Sequence, residues 1–551
     1  MIRKQQARFF VACAASVLAT TAGLAQFLPA MIYGDSLDER ATALVEGVNP
    51  GYCLAGWSRS YSANGSADAL MIKTDPLGVP MWSVISSGRN DDEAYSMVRT
   101  QDHGYTVTGW TASFGPGIPS RNVFVFKADS AGTQLWGWAY GGPADDEGYS
   151  IIETSDRGYA VCGLTRGFGP PPYPNIFVLR LDPGGLPLWF RVYWSLPAHI
   201  EDEGYAIAET PDSGLVVVGR AKTVSPALYD PFVLKLGPMG NPQWASTVPG
   251  DSGDDEGHSV AVSPAGGILA AGWSTSFSSN PLVTTDLFVA EFTPPGALIW
   301  SQCYGWPVGD ERVLDDRSLV ATLDGGSAVC GPTTSVGPGT PNPNFMVLKL
   351  APGGPPMWCR SHPSPYRPGL LSDVPRPMVE LAAGGYAVAG WTNSFPAPAN
   401  ENFHLVTLDA SGNRPVCVEP QSPVIVPLPW VQWEFDDSLE MVDFAPMMTG
   451  PVEVLFELIC QDTTALEEGV RRPVGAFGLA VRGRWLELAL PHEDAVTVTA
   501  YAADGRARRV IADRCFSAGR HRLDPRGLEP GVYLVRAESR SGSTVAKLVA
   551  Y

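Results

Sequence analysis

Val123-Phe124-Val125-Phe126-Lys127-Ala128-Asp129-Ser130-Ala131-Gly132-Thr133-Gln134-Leu135-Trp136 decides the fold. Val123 to Phe126 is apolar on both faces, the pattern of a strand buried from both sides where sheets stack. Asp129-Ser130-Ala131-Gly132 is a turn whose Gly supplies the positive φ of a hairpin. The strand after it opens on Trp136, large enough to anchor packing between neighbouring sheets. The same Gly-x-x-x-Trp spacing returns at Gly78–Trp82, Gly185–Trp189, Gly240–Trp244, Gly296–Trp300 and Gly354–Trp358. A unit of about 55 residues that recurs in this way is a stacked element, unable to bury its apolar face alone.

Two further marks lie upstream in each unit. Gly-aromatic-x-apolar-x-Gly occurs at Gly51–Gly56, Gly104–Gly109, Gly158–Gly163 and Gly385–Gly390, with degenerate copies from Gly214, Gly267 and Gly326. An Asp or Asn stands five residues before a usually cationic position, as in Asn122–Lys127, Asn175–Arg180 and Asp230–Lys235. In the second unit the marks delimit strands at Tyr95–Thr100, Tyr105–Thr111, Val123–Ala128 and Gln134–Tyr140, each bounded by Gly, Pro, Asx or Ser. Four antiparallel strands in each of seven units, with no helical period, predict an all-β, seven-bladed β-propeller. The competitor is an open β-solenoid. Closure has its own sign: the seventh unit reaches Arg414-Pro415-Val416-Cys417 without Trp or strand, while Met31-Ile32-Tyr33-Gly34 matches Trp138-Ala139-Tyr140-Gly141. The N-terminal segment is therefore expected to supply the last blade's fourth strand and to remove a free edge.

The chain has 551 residues, net charge −19 and 59 Gly with 50 Pro, which suits a turn-dense β protein. The acidity argues against nucleic acid and anionic membrane surfaces. Residues 1–25 read as a secretory signal: Arg3, Lys4 and Arg8, then apolar Phe9 to Leu18, too short to span a bilayer, then Gly23-Leu24-Ala25. No other stretch looks transmembrane. The expected division is signal 1–25, propeller 26–419, a linker with irregular strands 420–470, and a small Ig-like β-sandwich 471–551. From Arg471 onward the charge reverses, with 14 Lys and Arg against 8 Asp and Glu. Cys417 and Cys460 flank the linker; they either pair in an oxidising compartment or are separate buried residues.

In the last segment, Val496 to Arg506 with its Asp504-Gly505-Arg506, then Gly531-Val532-Tyr533-Leu534-Val535-Arg536-Ala537, then Lys547-Leu548-Val549 resembles the C-terminal sorting domain of the type IX secretion system. The resemblance implies recognition by that export machinery, and a secreted or outer-membrane surface location in a Gram-negative-type bacterium. The propeller units resemble the repeats of large secreted bacterial propellers of the delta-60 or PQQ-like style; that is a likeness of fold and carries no function.

Acids mark each junction between blades: Asp38-Glu39, Asp91-Asp92-Glu93, Asp145-Asp146-Glu147, Glu201-Asp202-Glu203, Asp254-Asp255-Glu256, Asp315-Asp316 and Asp373. Such carboxylates can cap backbone N–H groups, or they can hold calcium. The calcium candidates are Asp92, Glu93, Asp146, Glu147, Asp202, Glu203, Asp255 and Glu256. Recurrence in every junction favours capping, since active sites are rarely built seven times; no cofactor is required. Gly250-Asp251-Ser252-Gly253 has the form of a serine-protease nucleophile signature but sits in an ordinary junction, with no His motif to activate it. The loops between second and third strands vary most and share one side of the ring, which makes Phe114, Phe168, Tyr173, Phe277 and Phe395 the binding candidates. The expected function is a secreted, non-catalytic scaffold for binding or adhesion, with an unknown glycan or protein ligand. The alternative is an extracellular, glycan-active hydrolase or lyase. Blade six departs most from the repeat, with Asp310-Glu311-Arg312 added and Pro332 in the place of Trp110. Acids there that entered a central pocket as a perturbed pair would point to catalysis.

Overall fold

A computed structural model describes Phe9–Cys13, residues 31–413 apart from short loop segments, and beyond 413 mainly the strands between Glu419 and Ala550. Seven antiparallel four-stranded sheets follow one another. Blade 1 is Glu39–Glu46, Tyr52–Ser58, Asp68–Thr74 and Pro80–Ser86; blade 2 is Asp92–Arg99, Tyr105–Thr111, Asn122–Ala128 and Gln134–Tyr140. The first strands of blades 3 to 6 are Asp146–Glu153, Asp202–Glu209, Asp255–Val262 and Leu319–Ala321, and their outer strands are Pro187–Tyr193, Pro242–Thr247, Leu298–Gly305 and Pro356–His362. Blade 7 is Asp373–Glu380, Tyr386–Thr392 and Asn402–Leu408, completed by Met31–Gly34. No helix is present among the described residues.

Met31, Ile32 and Tyr33 pair antiparallel with Leu405, His404 and Phe403, so the expected strand exchange closes the ring. The first strand of blade 7 packs on that of blade 1, and Glu39 N–H donates to Glu401 O at 2.8 Å across the seam. An open solenoid is excluded.

The Gly–Trp spacing is an inter-blade lock. Gly132 has φ +82°, and a Cβ there would lie 2.9 Å from Trp82 of the preceding blade. Gly296 sits in the same way on Trp244, Gly354 on Trp300 and Gly412 on Trp358. At the seam, where the N-terminal strand has no Trp, Gly78 meets Met31 instead. One ring of hydrogen bonds runs parallel to this: the hydroxyls of Tyr33, Tyr140, Tyr193 and Tyr304 donate to Gly78, Gly185, Gly240 and Gly354 carbonyls at 2.6–2.7 Å. The cationic mark is a second lock, within blades. Lys235 and Lys349 are buried and reach Asp212 and Asp324 of the first hairpin turn at 3.1 and 2.9 Å.

The described strands after blade 7 add to the edges of the blades. Glu419–Gln421 adds to the outer strand of blade 6, Val424–Pro427 to blade 5, Val431–Gln432 to blade 4 and Met448–Thr449 to blade 1. Val454–Glu457 then pairs with Phe9–Cys13, which itself pairs with Met31–Gly34. These short described strands form a belt of added edges on blades 6, 5, 4 and 1 and on the strands that complete blade 7. The compact units divide between Gln461 and Asp462, so the belt goes with the propeller.

The C-terminal unit has a three-stranded sheet (Gly478–Arg482, Trp485–Leu490, Gly519–Leu523) and a four-stranded one (Asp494–Ala502, Ala507–Phe516, Gly531–Ser539, Gly542–Ala550). Its buried residues alternate, as in Leu486 and Leu488, Val496, Val498 and Ala500, Val535 and Ala537, the period of strands with one face on a core. Cys417 and Cys460 lie outside the described residues; Cys53, Cys162, Cys303, Cys330 and Cys359 are free and buried.

Candidate functional site in the axial channel

The seven first strands line the channel of the ring, and most carry a β-bulge near their start. In blade 2, Ala94 pairs with Gly109 and Ser96 with Thr108, leaving Tyr95 as the extra residue. Bulges re-aim a side chain, and here they aim it at the channel mouth. The equivalent residues are Thr42, Tyr149, Tyr205, His258 and Arg376. All six line one cavity of about 330 Å³, with Arg40, Trp57, Glu93, Leu314, Asp315 and Asp316.

Four of these rings form a continuous arc. Centroids are 5.6 Å apart for Tyr95 and Tyr149, 5.4 Å for Tyr149 and Tyr205, and 4.6 Å for Tyr205 and the stacked His258. Each ring serves a carboxylate. Tyr95 donates to Glu93 at 3.3 Å, Tyr149 to Glu147 at 3.2 Å and Tyr205 to Glu203 at 2.6 Å. Trp110 Nε1 donates to Tyr95 Oη at 2.8 Å. In blade 5 the imidazole takes the phenol's place: His258 Nε2 lies 2.9 Å from Glu256 and 3.2 Å from Trp273 Nε1. Arginines complete the rim. Arg121 bonds Glu147 at 2.5 Å and lies over Trp110, and Arg220 bridges Glu203 and Glu256 and lies over Tyr229. Burial, reinforced by Glu93, pushes the Tyr95 phenol up, so it remains a donor. Burial raises Glu93 and Glu147; Glu256 is lowered because His258 and Arg220 outweigh its burial.

The other acid of each junction has a different task. Asp92, Asp146, Asp255 and Asp373 accept from the hydroxyls of Thr111, Thr165, Ser274 and Thr392, which close the same blade's second strand. In blade 4, where Ala221 stands at that position, Ser195 bonds Asp202 instead, at 2.9 Å. The neighbouring acid caps the previous loop: Asp91 accepts from Ala67 N–H and Asp145 from Arg121 N–H. Within each pair the two acids engage different partners. Among the described residues, no three of these side chains gather in a group that could hold a metal ion.

Blade six requires a correction. Asp315-Asp316 is not its junction copy: Asp310 and Glu311 are, since Thr285 N–H donates to Asp310 and Thr333 Oγ1 donates to Glu311. The added residues lie just beyond, where Cys330 N–H pairs with Ser318 and displaces Leu314 to Arg317 into the channel. There Asp316 crosses to blade 2 and accepts from Ser96 Oγ at 2.6 Å, while Arg317 donates to Ile151 O of blade 3 at 3.1 Å. Arg376 of blade 7 lies 3.4 Å from Asp315. Burial, then the Asp316 charge, pushes the Asp315 carboxyl well above the usual range against Arg376. The crossing loop is a plug. Its departure from the repeat was the signal for it; that the Asp pair rather than Glu311 reaches the channel depends on strand register.

The loop aromatics lie at the same end as the mouth, because antiparallel strands bring the second-strand ends beside the first-strand starts. Phe168 packs edge-on against Phe190 at 5.1 Å, which turns it into the blade's core. Phe114 and Phe277 are half-buried, with backbone N–H groups donating to Thr111 and Ser274. Tyr173 is exposed, and Phe395 lies outside the described residues, as does most of Gly250-Asp251-Ser252-Gly253.

Fold and channel define a seven-bladed β-propeller, ring-closed by its N-terminal strand, with an asymmetric polar funnel on its axis. No protein-family model matches the chain, and no curated protein matches it. Solved structures do match; one, a candidate gluconolactonase, is 13% identical with a TM-score of 0.28, over 52% of this chain and 84% of that one.

Proposed function

We propose that the protein is an extracellular binding propeller whose site is the channel mouth, and that its ligand is a glycan. The supporting observation is the arc Tyr95, Tyr149, Tyr205 and His258, with a carboxylate on each ring and Arg40 and Arg376 opposite. Sugars are held by aromatic surfaces together with charged donors and acceptors, and the mouth offers all three in a cavity of ligand size. Export through residues 471–551 by type IX machinery belongs to the same reading. It would place the site at the cell surface or outside.

The test is glycan-array binding by the full chain, followed by calorimetry on hits. Tyr149→Ala should weaken binding at least about tenfold, since the ring goes and Glu147 loses the phenol that donates to it, while Tyr173→Ala in an exposed loop should not. Binding lost with Tyr173 but kept with Tyr149→Ala would move the site to the loops. Secretion that survives deletion of 471–551 would remove the export role.

Asp315 supports a second reading, hydrolysis at the same site, since a buried carboxyl with a raised pKa beside a second carboxyl in a central pocket is what catalysis would need. The pair suits glycoside cleavage poorly: such enzymes separate their carboxyls by roughly 5–10 Å, whereas these interact directly and are occupied by Arg376 and Ser96. Product release from array hits, abolished by Asp316→Asn with binding retained, would favour it.

A further inference from the structure

Below the plug, the channel opens into a second cavity of about 590 Å³. It differs in character from the mouth. Ile152, Ile207, Val260, Leu319 and Met378 form its walls, one or more from each of blades 3 to 7. The plug residues Asp316 and Arg317 also line it. Each brings an enclosed polar atom with no hydrogen-bond partner among the described residues: Asp316 Oδ1, an acceptor, and Arg317 Nε, a donor. Asp316 is only 6% exposed. Buried polar atoms without partners are costly and are the exception in folded proteins. An apolar pocket with a few convergent polar groups is the usual form of a small-molecule site, and this volume is within the ordinary range.

We propose that this lower chamber is a second ligand site, for an apolar molecule ending in a neutral head that both donates and accepts, a hydroxyl or a primary amide. The head accepts from Arg317 Nε and donates to Asp316 Oδ1. A carboxylate satisfies Arg317 but sets a second acceptor against Asp316; an ammonium satisfies Asp316 but faces a guanidinium. Glu46 and Glu380 also line the cavity, Glu380 accepting from Leu323 N–H at 2.9 Å; at the plug itself the charges of Asp316 and Arg317 cancel, so a neutral head leaves neither unpaired. The glycan reading of the mouth is not needed for this site.

The experiment is calorimetry on the full chain with octanamide, octanoate and octylammonium. Octanamide should bind saturably at one per chain, and both ions at least about tenfold more weakly. Ala261→Trp, a partly exposed wall position, should abolish octanamide binding, and Ala208→Trp is the second filling variant should the first fail to fold. Arg317→Met should remove the preference for the amide over octylammonium. No saturable binding of octanamide, equal binding of all three probes, or binding that survives a folded filling variant would each overturn the proposal.

Discussion

Glu311 is fully buried at the blade 5–6 junction, where every blade but the first and sixth places Asp. Burial, with Asp286 adding, pushes its carboxyl from 4.5 to about 8 against hydrogen bonds from Ser335 and Thr333. A folded value above the unfolded one means the fold binds the proton more tightly. Its contribution to stability is therefore complete below pH 4.5 and is lost as pH rises toward 8. The loss is ~1.4 kcal/mol per pH unit over that window, about 5 kcal/mol if the surroundings do not relax and about 2–3 if they do. Glu311→Gln keeps the shape and an oxygen to accept from Thr333, without the charge. Urea midpoints of the two proteins should coincide near pH 4.5, diverge progressively in favour of the Gln variant up to pH 8, and run parallel above it. Asp92→Asn supplies the contrast, since burial brings Asp92 only to about 6; its divergence should be complete two pH units earlier. Parallel wild-type and Glu311→Gln profiles from pH 5 to 9 would refute the reasoning, because they would show that the junction tolerates the charge.

Ring closure predicts that Tyr33→Ala and Tyr140→Ala, both at fully or nearly fully buried positions, each cost about 3–5 kcal/mol. Only Tyr33→Ala should also accelerate limited proteolysis of blade 7, since only that strand is joined to its blade without a covalent hairpin. Gly132→Ala and Gly65→Ala share a positive φ (+82° and +83°), but only Gly132 has a tryptophan within contact of the new Cβ. Denaturant midpoints should show about 1–2 kcal/mol lost at Gly65 and about 1–3 more at Gly132; equal losses would show that the Gly–Trp spacing is not a packing lock.

Blade count, strand assignment and closure were legible because each rests on residues fixed by local sterics. Gly132 needs a positive φ whatever surrounds it, and Trp136 marks the strand that follows. Met31 to Gly34 could be matched by pattern because a strand supplied from afar meets the same neighbours, down to a tyrosine donating to Gly78. The site was less legible. One residue per bulge faces the channel, and a bulge shows only in the register, as in Ala94 opposite Gly109 and Ser96 opposite Thr108. Tyr95 therefore reads as an ordinary strand residue. The junction acids, read as a set, divide between capping and the mouth because successive strand residues point to opposite sides. The sequence predicts irregular strands in 420–470, but their pairing with the blades was not legible: they are two to four residues long and are held by edges that the rest of the chain provides.

A seven-fold frame does not yield a seven-fold site here. At the bulge position the chain places Thr42, three tyrosines, His258, the plug loop and Arg376 in succession. The aromatic arc and the Asp–Arg side therefore face each other across one axis. The repeats that hold the ring, Gly on Trp and Asp on Thr or Ser, lie outside the channel and need not change when its lining does. That separation lets the position nearest the axis vary from blade to blade at little cost to the fold. A symmetric lining would present the same group in every direction; this one presents aromatic rings from blades 2 to 5, with Glu93 beside them, and a carboxyl pair with guanidinium groups from blades 6, 7 and 1. A ligand with two chemically distinct sides is the kind such a funnel can orient.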